Sequence, residues 1–447
     1  MASSRMTINW FSPLPPARTE IAHYSARIME ALANIFDVTL WTDQDDWDKN
    51  LEYIVPVRVF TVDALPWAEL NRADLNVYHI GNNPQYHGAI WQVCRQHPGI
   101  VILHDLALQG FMFYYKLPLD EKTATSYTTL MASHYGAAGK SAAERVCRGE
   151  QSCDSLANVF PLFEPAVDNS LGIIVHSRTA FETVALRQKW PVFLLNLPYK
   201  EISACNYGVL SQRRREPPFH IIVFGYIGHN RCVDSILAAL AALSRKDSFV
   251  LDVYGELWID DLLPERLAVL GLSQHVKFHG YVSETELDAA LAAGDLAINL
   301  RYPSFGEASS SQLRIWAHAL PTIVTRTGWY ADQADEALLF VDPENQIEEI
   351  KAILNTFLDN PELFAGVGVS GRKILLEKHL PEVYAEALQE VFAEINQLKK
   401  HALVNLMVKR VAKHISALSG DMYETNHIVK VSQEIHKAFA RDEPEVL

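Results

Sequence analysis

The stretch Tyr302-Pro-Ser-Phe-Gly-Glu-Ala-Ser-Ser-Ser-Gln-Leu-Arg-Ile-Trp-Ala-His-Ala-Leu-Pro321 decides how this chain is read. An apolar run, Asp295-Leu-Ala-Ile-Asn-Leu-Arg301, precedes it and reads as a buried strand; Thr322-Ile-Val-Thr325 follows and reads as the next. Between them Pro303 and Gly306 mark a loop, and a short helix follows. Ser309, Ser310 and Ser311 stand where the N-cap of that helix belongs, since a serine hydroxyl accepts from the open amides of a first turn. Those amides, with the partial positive charge of a helix start, suit an anion such as phosphate. Glu307 stands just ahead, at the carboxyl end of a parallel strand, where open α/β sheets bind ligands.

Outward from this stretch the pattern repeats. Upstream, Phe219-His-Ile-Ile-Val-Phe224 reads as a strand, Gly225 to Arg231 as a loop, and Val233 to Leu243 as a helix. Phe249 to Gly255 and Val276 to Val282 read as two more strand–turn units. Downstream come Gly328-Trp-Tyr330 and Leu338 to Asp342, then a helical pattern from Pro343 to about Lys400. Leu403, Met407, Val411, Ile415 and Leu418 continue a helical stripe, with Lys399, Lys400, Lys409, Arg410 and Lys413 around it. Two readings fit that tail: docking on its own domain or on a second subunit as a homo-oligomer, and a basic amphipathic helix in peripheral contact with an anionic membrane.

The first half has the same rhythm. Thr7 to Phe11 reads as a strand, and Ser12-Pro-Leu-Pro-Pro-Ala-Arg-Thr19 as a stiff loop. Ile21, Tyr24, Ile28, Leu32 and Ile35 then recur at helical spacing. Short strands follow at Val38–Trp41, Val57–Phe60, Leu75–Ile80, Ile100–Leu103, Leu171–Ser177 and Val192–Pro198. Strands alternating with helices argue mainly parallel sheets, hence an α/β fold. The segment 109–164, rich in aromatics, reads as helices packed on the sheet. Residues 199–218, with Arg213, Arg214 and Arg215, read as a linker.

Composition narrows the class. With 447 residues, 49% hydrophobic and 21% charged, the chain suits a globular protein of two or three domains. A net charge of −15 argues against a nucleic-acid-binding surface. No apolar run reaches the ~20 residues of a membrane span. The N-terminus has no signal-peptide pattern, and five cysteines without a Cys-x-x-Cys pair suit reduced thiols, so a cytoplasmic location is expected.

The order and spacing of these motifs, over roughly residues 7–395, resemble the retaining glycosyltransferases of the family 4 type with the two-domain GT-B fold. The resemblance implies two Rossmann-like domains facing across a cleft, with a helical C-terminal tail. Residues 1–200 would form the acceptor domain, joined by returning helices near 381–400; residues 215–380 would form the nucleotide-sugar domain, and 401–447 the tail. It implies a glycosyltransferase that moves a sugar from a UDP- or GDP-linked nucleotide sugar to a hydroxyl of a glycan, lipid-linked or small-molecule acceptor, as in polysaccharide biosynthesis. Retention of configuration would follow, with no metal or other cofactor. A sugar-nucleotide epimerase, a phosphorylase, or a degenerate sugar-binding partner of an active transferase are the other readings.

The resemblance also assigns roles. Arg231 stands where the phosphate loop usually has Lys and would stabilise the leaving diphosphate, beside Gly225. Tyr281 and Val282 would meet the base, Ser309, Ser310 and Ser311 the phosphate, and Glu307 the sugar hydroxyls. His104, at a strand end, would lie beside the reacting sugar. Arg18, Asn82, Asn83 and His104 would face the acceptor. Two departures stand out. Glu20 follows Thr19 where a Gly would let a diphosphate approach closely. A second Glu usually lies eight positions after the first and holds the ribose; here Ile315 is at that place with Arg314 beside it, so Arg314 is taken into the donor site and ribose recognition is expected to be loose.

Overall fold

The computed structural model describes residues 5–115, 121–200, 216–256 and 263–419. The linker arginines 213–215, Cys205, and the side chains of Ile415 and Leu418 lie outside the described residues. Seven strands, β1 (Thr7–Phe11), β2 (Asp37–Thr42), β3 (Val57–Val59), β4 (Leu75–Ile80), β5 (Ile100–Leu103), β6 (Gly172–Val175) and β7 (Val192–Leu194), form one sheet. Its order is β3-β2-β1-β4-β5-β6-β7, parallel throughout. Continuous apolar runs suit a parallel sheet because helices cover both faces. Ile100 and Ile102 point into one core, Val101 and Leu103 into the other.

Six more strands, β8 (Phe219–Phe224), β9 (Phe249–Tyr254), β10 (Val276–Gly280), β11 (Leu296–Ile298), β12 (Thr322–Thr325) and β13 (Leu339–Val341), form a second sheet. Its order is β10-β9-β8-β11-β12-β13, again parallel. The run Asp295–Arg301 is a strand only over its first half. Asn299 keeps one amide bond to the Ile323 carbonyl at 2.9 Å, and the chain then leaves the ladder.

The helix Pro381–Ser419 returns to the first domain. Its Tyr384 hydroxyl accepts from Tyr24 at 2.7 Å, and Phe392 stands 5.4 Å from Phe36, centroid to centroid. One buried cluster therefore runs from Trp10 and Tyr24 through Tyr384 and Leu388 to Trp316 and Trp329 of the second domain. In each sheet the strand order reverses once, between β1 and β4 and between β8 and β11. Loops at the carboxyl ends of those strands part to opposite sides and leave a crevice. The loops after β1, β4 and β5 meet those after β8 and β11, and the site lies among them.

Candidate active site

The loop before the helix Ser310–Ala317 is seated on the first domain. The Ala107 amide donates to the Phe305 carbonyl at 2.9 Å, and the Ser177 hydroxyl to Gly306 at 2.6 Å. Gly306 has φ 79°, and a Cβ there would lie 2.5 Å from Leu106, so only glycine fits. Glu307 is thereby held within the loop. Its Oε2 accepts from the Phe305 amide at 2.7 Å and the Ser304 hydroxyl at 3.4 Å, while Oε1 lies 3.2 Å from Arg301 Nε as an ion pair. Arg301 Nε makes no well-aligned hydrogen bond, so the pair is one of charge.

Arg231 is 6% exposed, beneath the same helix start. Its Nη1 donates to Asn299 Oδ1 at 2.6 Å, its Nη2 reaches the Ser311 hydroxyl at 3.5 Å, and its buried Nε has no partner. Burial first, and the charge of Arg301 second, push its pKa down to about 9. Gly225, at φ 112°, leaves room for the guanidinium: a Cβ there would stand 2.9 Å from Nη2. Two arginines crowded together with few anions nearby make a place that favours a bound anion. Ser309 caps the helix by accepting from Gln312 N at 3.2 Å, and its hydroxyl also takes a bond from Tyr330 at 2.8 Å.

Glu20 crosses the cleft. Its Oε1 accepts from the Ser310 hydroxyl at 2.5 Å and pairs with Arg27, two turns on along its own helix Glu20–Ile35. Burial opposes its charge, but Arg27 and the Ser310 hydroxyl together hold the carboxyl below its ordinary value. About half of the side chain, 52%, still faces open cleft, so water screens the pair and its net worth is small. A carboxylate thus stands at a helix start suited to phosphate, and a ligand anion would have to displace it.

The first domain contributes imidazoles and a carboxyl. His104 Nε2 lies 2.8 Å from His79 Nδ1, with Tyr24 and His176 packed against the ring. Burial, then the neighbouring histidines, hold His79 and His104 well below the ordinary value; burial lowers His87 and His176 to about 4. All four are neutral near pH 7. His79 Nε2 is buried without a partner. A bare lone pair costs less there than a bare N–H, so Nδ1–H of His79 donates to His104, and the other nitrogen of His104 carries its proton. Asp105 accepts from the Asn82 amide at 2.7 Å. Burial first, and Glu307 across the cleft second, raise it to about 7.

That shift has a testable sign. The folded carboxyl holds its proton to about pH 7, whereas the unfolded one loses it near 3.8. The raised pKa favours folding below the unfolded value, and the advantage drains away as pH rises, levelling near 7. Asp105→Asn should therefore match the wild type in thermal midpoint near pH 4 and gain on it steadily to pH 7. A difference that stays constant across that range would rule out a raised Asp105.

Several expected contacts are placed otherwise. Arg314 is engaged within the protein: Nε donates to Asp288 at 2.9 Å, Nη1 and Nη2 to the Glu284 side chain and carbonyl at 2.8 Å each. Arg18 lies over the Tyr281 ring at 4.9 Å, and its carbonyl accepts from Tyr226 at 2.6 Å, so it packs on the turn after β10. Asn82 Oδ1 accepts from the Phe111 amide at 2.9 Å, and Asn83 caps its helix through Gln85 N at 2.9 Å; both side chains serve the backbone. Tyr281 is exposed and Val282 partly so, beside Gly280 at φ 65°. The helical segment after Gln109 builds a small core of its own around Phe113, Tyr127 and Met131. It also walls a cavity of about 1190 Å³ lined by Trp91, Tyr115 and Lys189 among others, none of them a residue of the cleft described above. Arg27, Arg301 and Asn299 were missed from sequence. Arg301 was visible at a strand end, and Arg27 is seven residues after Glu20 on one helical face.

Two parallel sheets, each with one reversal of strand order and with their loops meeting across a crevice, make the GT-B fold. Residues 218–360 match the family described as glycosyl transferases group 1. The fold is similar to that of Anabaena Alr3699/HepE, solved with UDP and glucose, at 15% identity and TM-score 0.57, covering 87% of this chain and all (100%) of that one. Sucrose-phosphate synthase from Thermosynechococcus elongatus gives 14%, TM-score 0.57, and 88% and 99% coverage. WaaG, a glycosyltransferase of lipopolysaccharide biosynthesis, gives 16%, TM-score 0.51, and 86% and 99%. No curated protein sequence matches. In fold the chain is a GT-B protein, as its motifs implied, and over residues 218–360 its sequence is similar to the group 1 glycosyl transferases. No described helix is long and apolar enough to cross a membrane.

Proposed function

We propose that the protein transfers a sugar from a nucleoside diphosphate to an acceptor hydroxyl, with retention and without a metal. The observation that carries this is the convergence of Arg231, Arg301 and the Ser309–Ser311 helix start with Glu307, opposite His104 and Asp105. In the reaction the bond from sugar C1 to the phosphate oxygen breaks and one to the acceptor oxygen forms. The departing oxygen gathers negative charge beside Arg231, where preorganised donors count most. The acceptor proton passes to a group of matched pKa, and Asp105, at about 7, suits that task. HepE was solved with UDP and glucose, which favours a UDP-linked donor; a GDP-linked one remains the alternative to be compared.

The test is release of free UDP or GDP from UDP- and GDP-sugars, with and without sugar acceptors, and NMR of the product's anomeric centre. Acceptor-dependent release with retained configuration is expected. Binding without any turnover would favour a sugar-binding partner, and turnover that never needs an acceptor would favour an epimerase. His104→Ala should lower turnover about tenfold to a hundredfold while donor affinity is largely kept. Equal loss of both would make His104 a binding or folding residue.

A further inference from the structure

We infer that Glu284 is the group that reads the donor's ribose and that Arg314 is the positioning residue that aims it, an inference resting on the nucleotide-sugar reading above. Arg314 is 7% exposed and belongs to the helix Ser310–Ala317. Two of its three hydrogen bonds go to Glu284, one to carboxylate Oε2 and one to the main-chain carbonyl. The backbone there is fixed again by Ser283, whose amide donates to Glu286 at 2.9 Å and whose hydroxyl accepts from Glu286 N at 3.2 Å. A side chain so held would be expected to be buried or saturated. Asp288, its neighbour one turn on, is engaged by both Arg314 and His318. Glu284 is not: its side chain is 59% exposed, and Oε1 accepts no hydrogen bond among the described residues.

Position supplies the ligand. Glu284 opens the helix Glu284–Ala293, one residue (Ser283) after the Gly280–Val282 turn at the end of β10, and Arg314 ties it to the helix that starts at Ser310. Its charge reaches Arg27, which itself touches Ser310 at 3.4 Å. A molecule with its ring at the turn and its diphosphate at the helix start must bridge the two with its pentose. The pentose presents two adjacent hydroxyls, both donors. A guanidinium can only donate, whereas an ionised carboxylate only accepts, so Arg314 alone would leave the hydroxyl protons without an acceptor and Glu284 supplies one. The expected loose reading of ribose is replaced by a specific one.

Calorimetry on the full chain with UDP, GDP and their 2′,3′-dideoxy counterparts decides this. The wild type should prefer the ribonucleotide by at least about tenfold, the scale of hydrogen bonds to a charged acceptor. Glu284→Ala should compress that preference to about twofold or less, leaving dideoxy affinity unchanged. Arg314→Lys keeps the charge but loses the fork, and should compress the preference as well, since lysine cannot aim the carboxylate. Glu284→Gln, nearly isosteric and at an exposed position, serves as the variant whose folding is secure, and should lose part of the preference. A preference undiminished in Glu284→Ala, or absent from the wild type, overturns the inference while the nucleotide reading stands. Failure of both UDP and GDP to bind the wild type overturns both.

Discussion

Arg231→Ala should lower kcat/KM for sugar transfer by about 10²–10³-fold, the loss seen when one preorganised donor to a developing oxyanion is removed. The guanidinium is positioned by Asn299 and Ser311 and is nearly sealed from water. Its charge therefore acts at low dielectric, and no reorganisation is needed when the phosphate bond breaks. The loss should appear in kcat and kcat/KM together, because the charge on the bridging oxygen exists only in the transition state. With a pKa near 9, lowered by burial and by Arg301, the group is charged at neutral pH and loses its proton as pH rises through 9. A bound diphosphate should push that value back up, so activity should fall at high pH later than the free-enzyme value suggests. A folded Arg231→Ala variant with near-normal rates would end this role. Arg301→Ala then becomes the informative variant, since Arg301 is the partly buried cation beside Arg231.

Glu307→Gln should weaken the intact sugar nucleotide by about tenfold or more and the bare nucleoside diphosphate by much less. The amide oxygen of Gln can still accept from the Phe305 amide, so the loop keeps its anchor. What is lost is a negative charge facing Arg301 and an acceptor for sugar hydroxyls. Calorimetry with both ligands separates the two roles. Equal weakening would mean that Glu307 shapes the loop rather than reads the sugar, a role its two loop hydrogen bonds already support. The same substitution carries an internal control. Glu307 is one cause of the raised pKa of Asp105, so its neutralisation should lower that value and shift the pH at which the Asp105→Asn stability gain levels off.

Much of the architecture was legible in the chain itself. Apolar runs such as Ile100–Leu103 and Thr322–Thr325, set between turn residues, depend only on near neighbours, and they located the strands. The Ser309 cap and the glycine at 306 were readable for the same reason: caps and turns are decided within about four residues. Position after a parallel strand also marked Glu307 as a cleft residue, because a parallel sheet puts those ends together, while Arg231 and His104 were marked by the family resemblance. What the chain order does not contain is which polar groups satisfy each other. That Glu20 accepts from Ser310, 290 residues on, is one such pairing. Arg314 stands in the helix Ser310–Ala317, and that its partners are Glu284 and Asp288 on the helix before it is nowhere in the chain order. Asp105 reads as an ordinary carboxylate in sequence, and only burial against Glu307, from the other domain, lifts it to about 7. Hydrophobic pattern is a local property repeated along the chain, so sequence carries it. Pairing of buried charges is a property of packing, decided by contacts within a few ångströms between residues far apart in the chain, and only the folded structure brings them there.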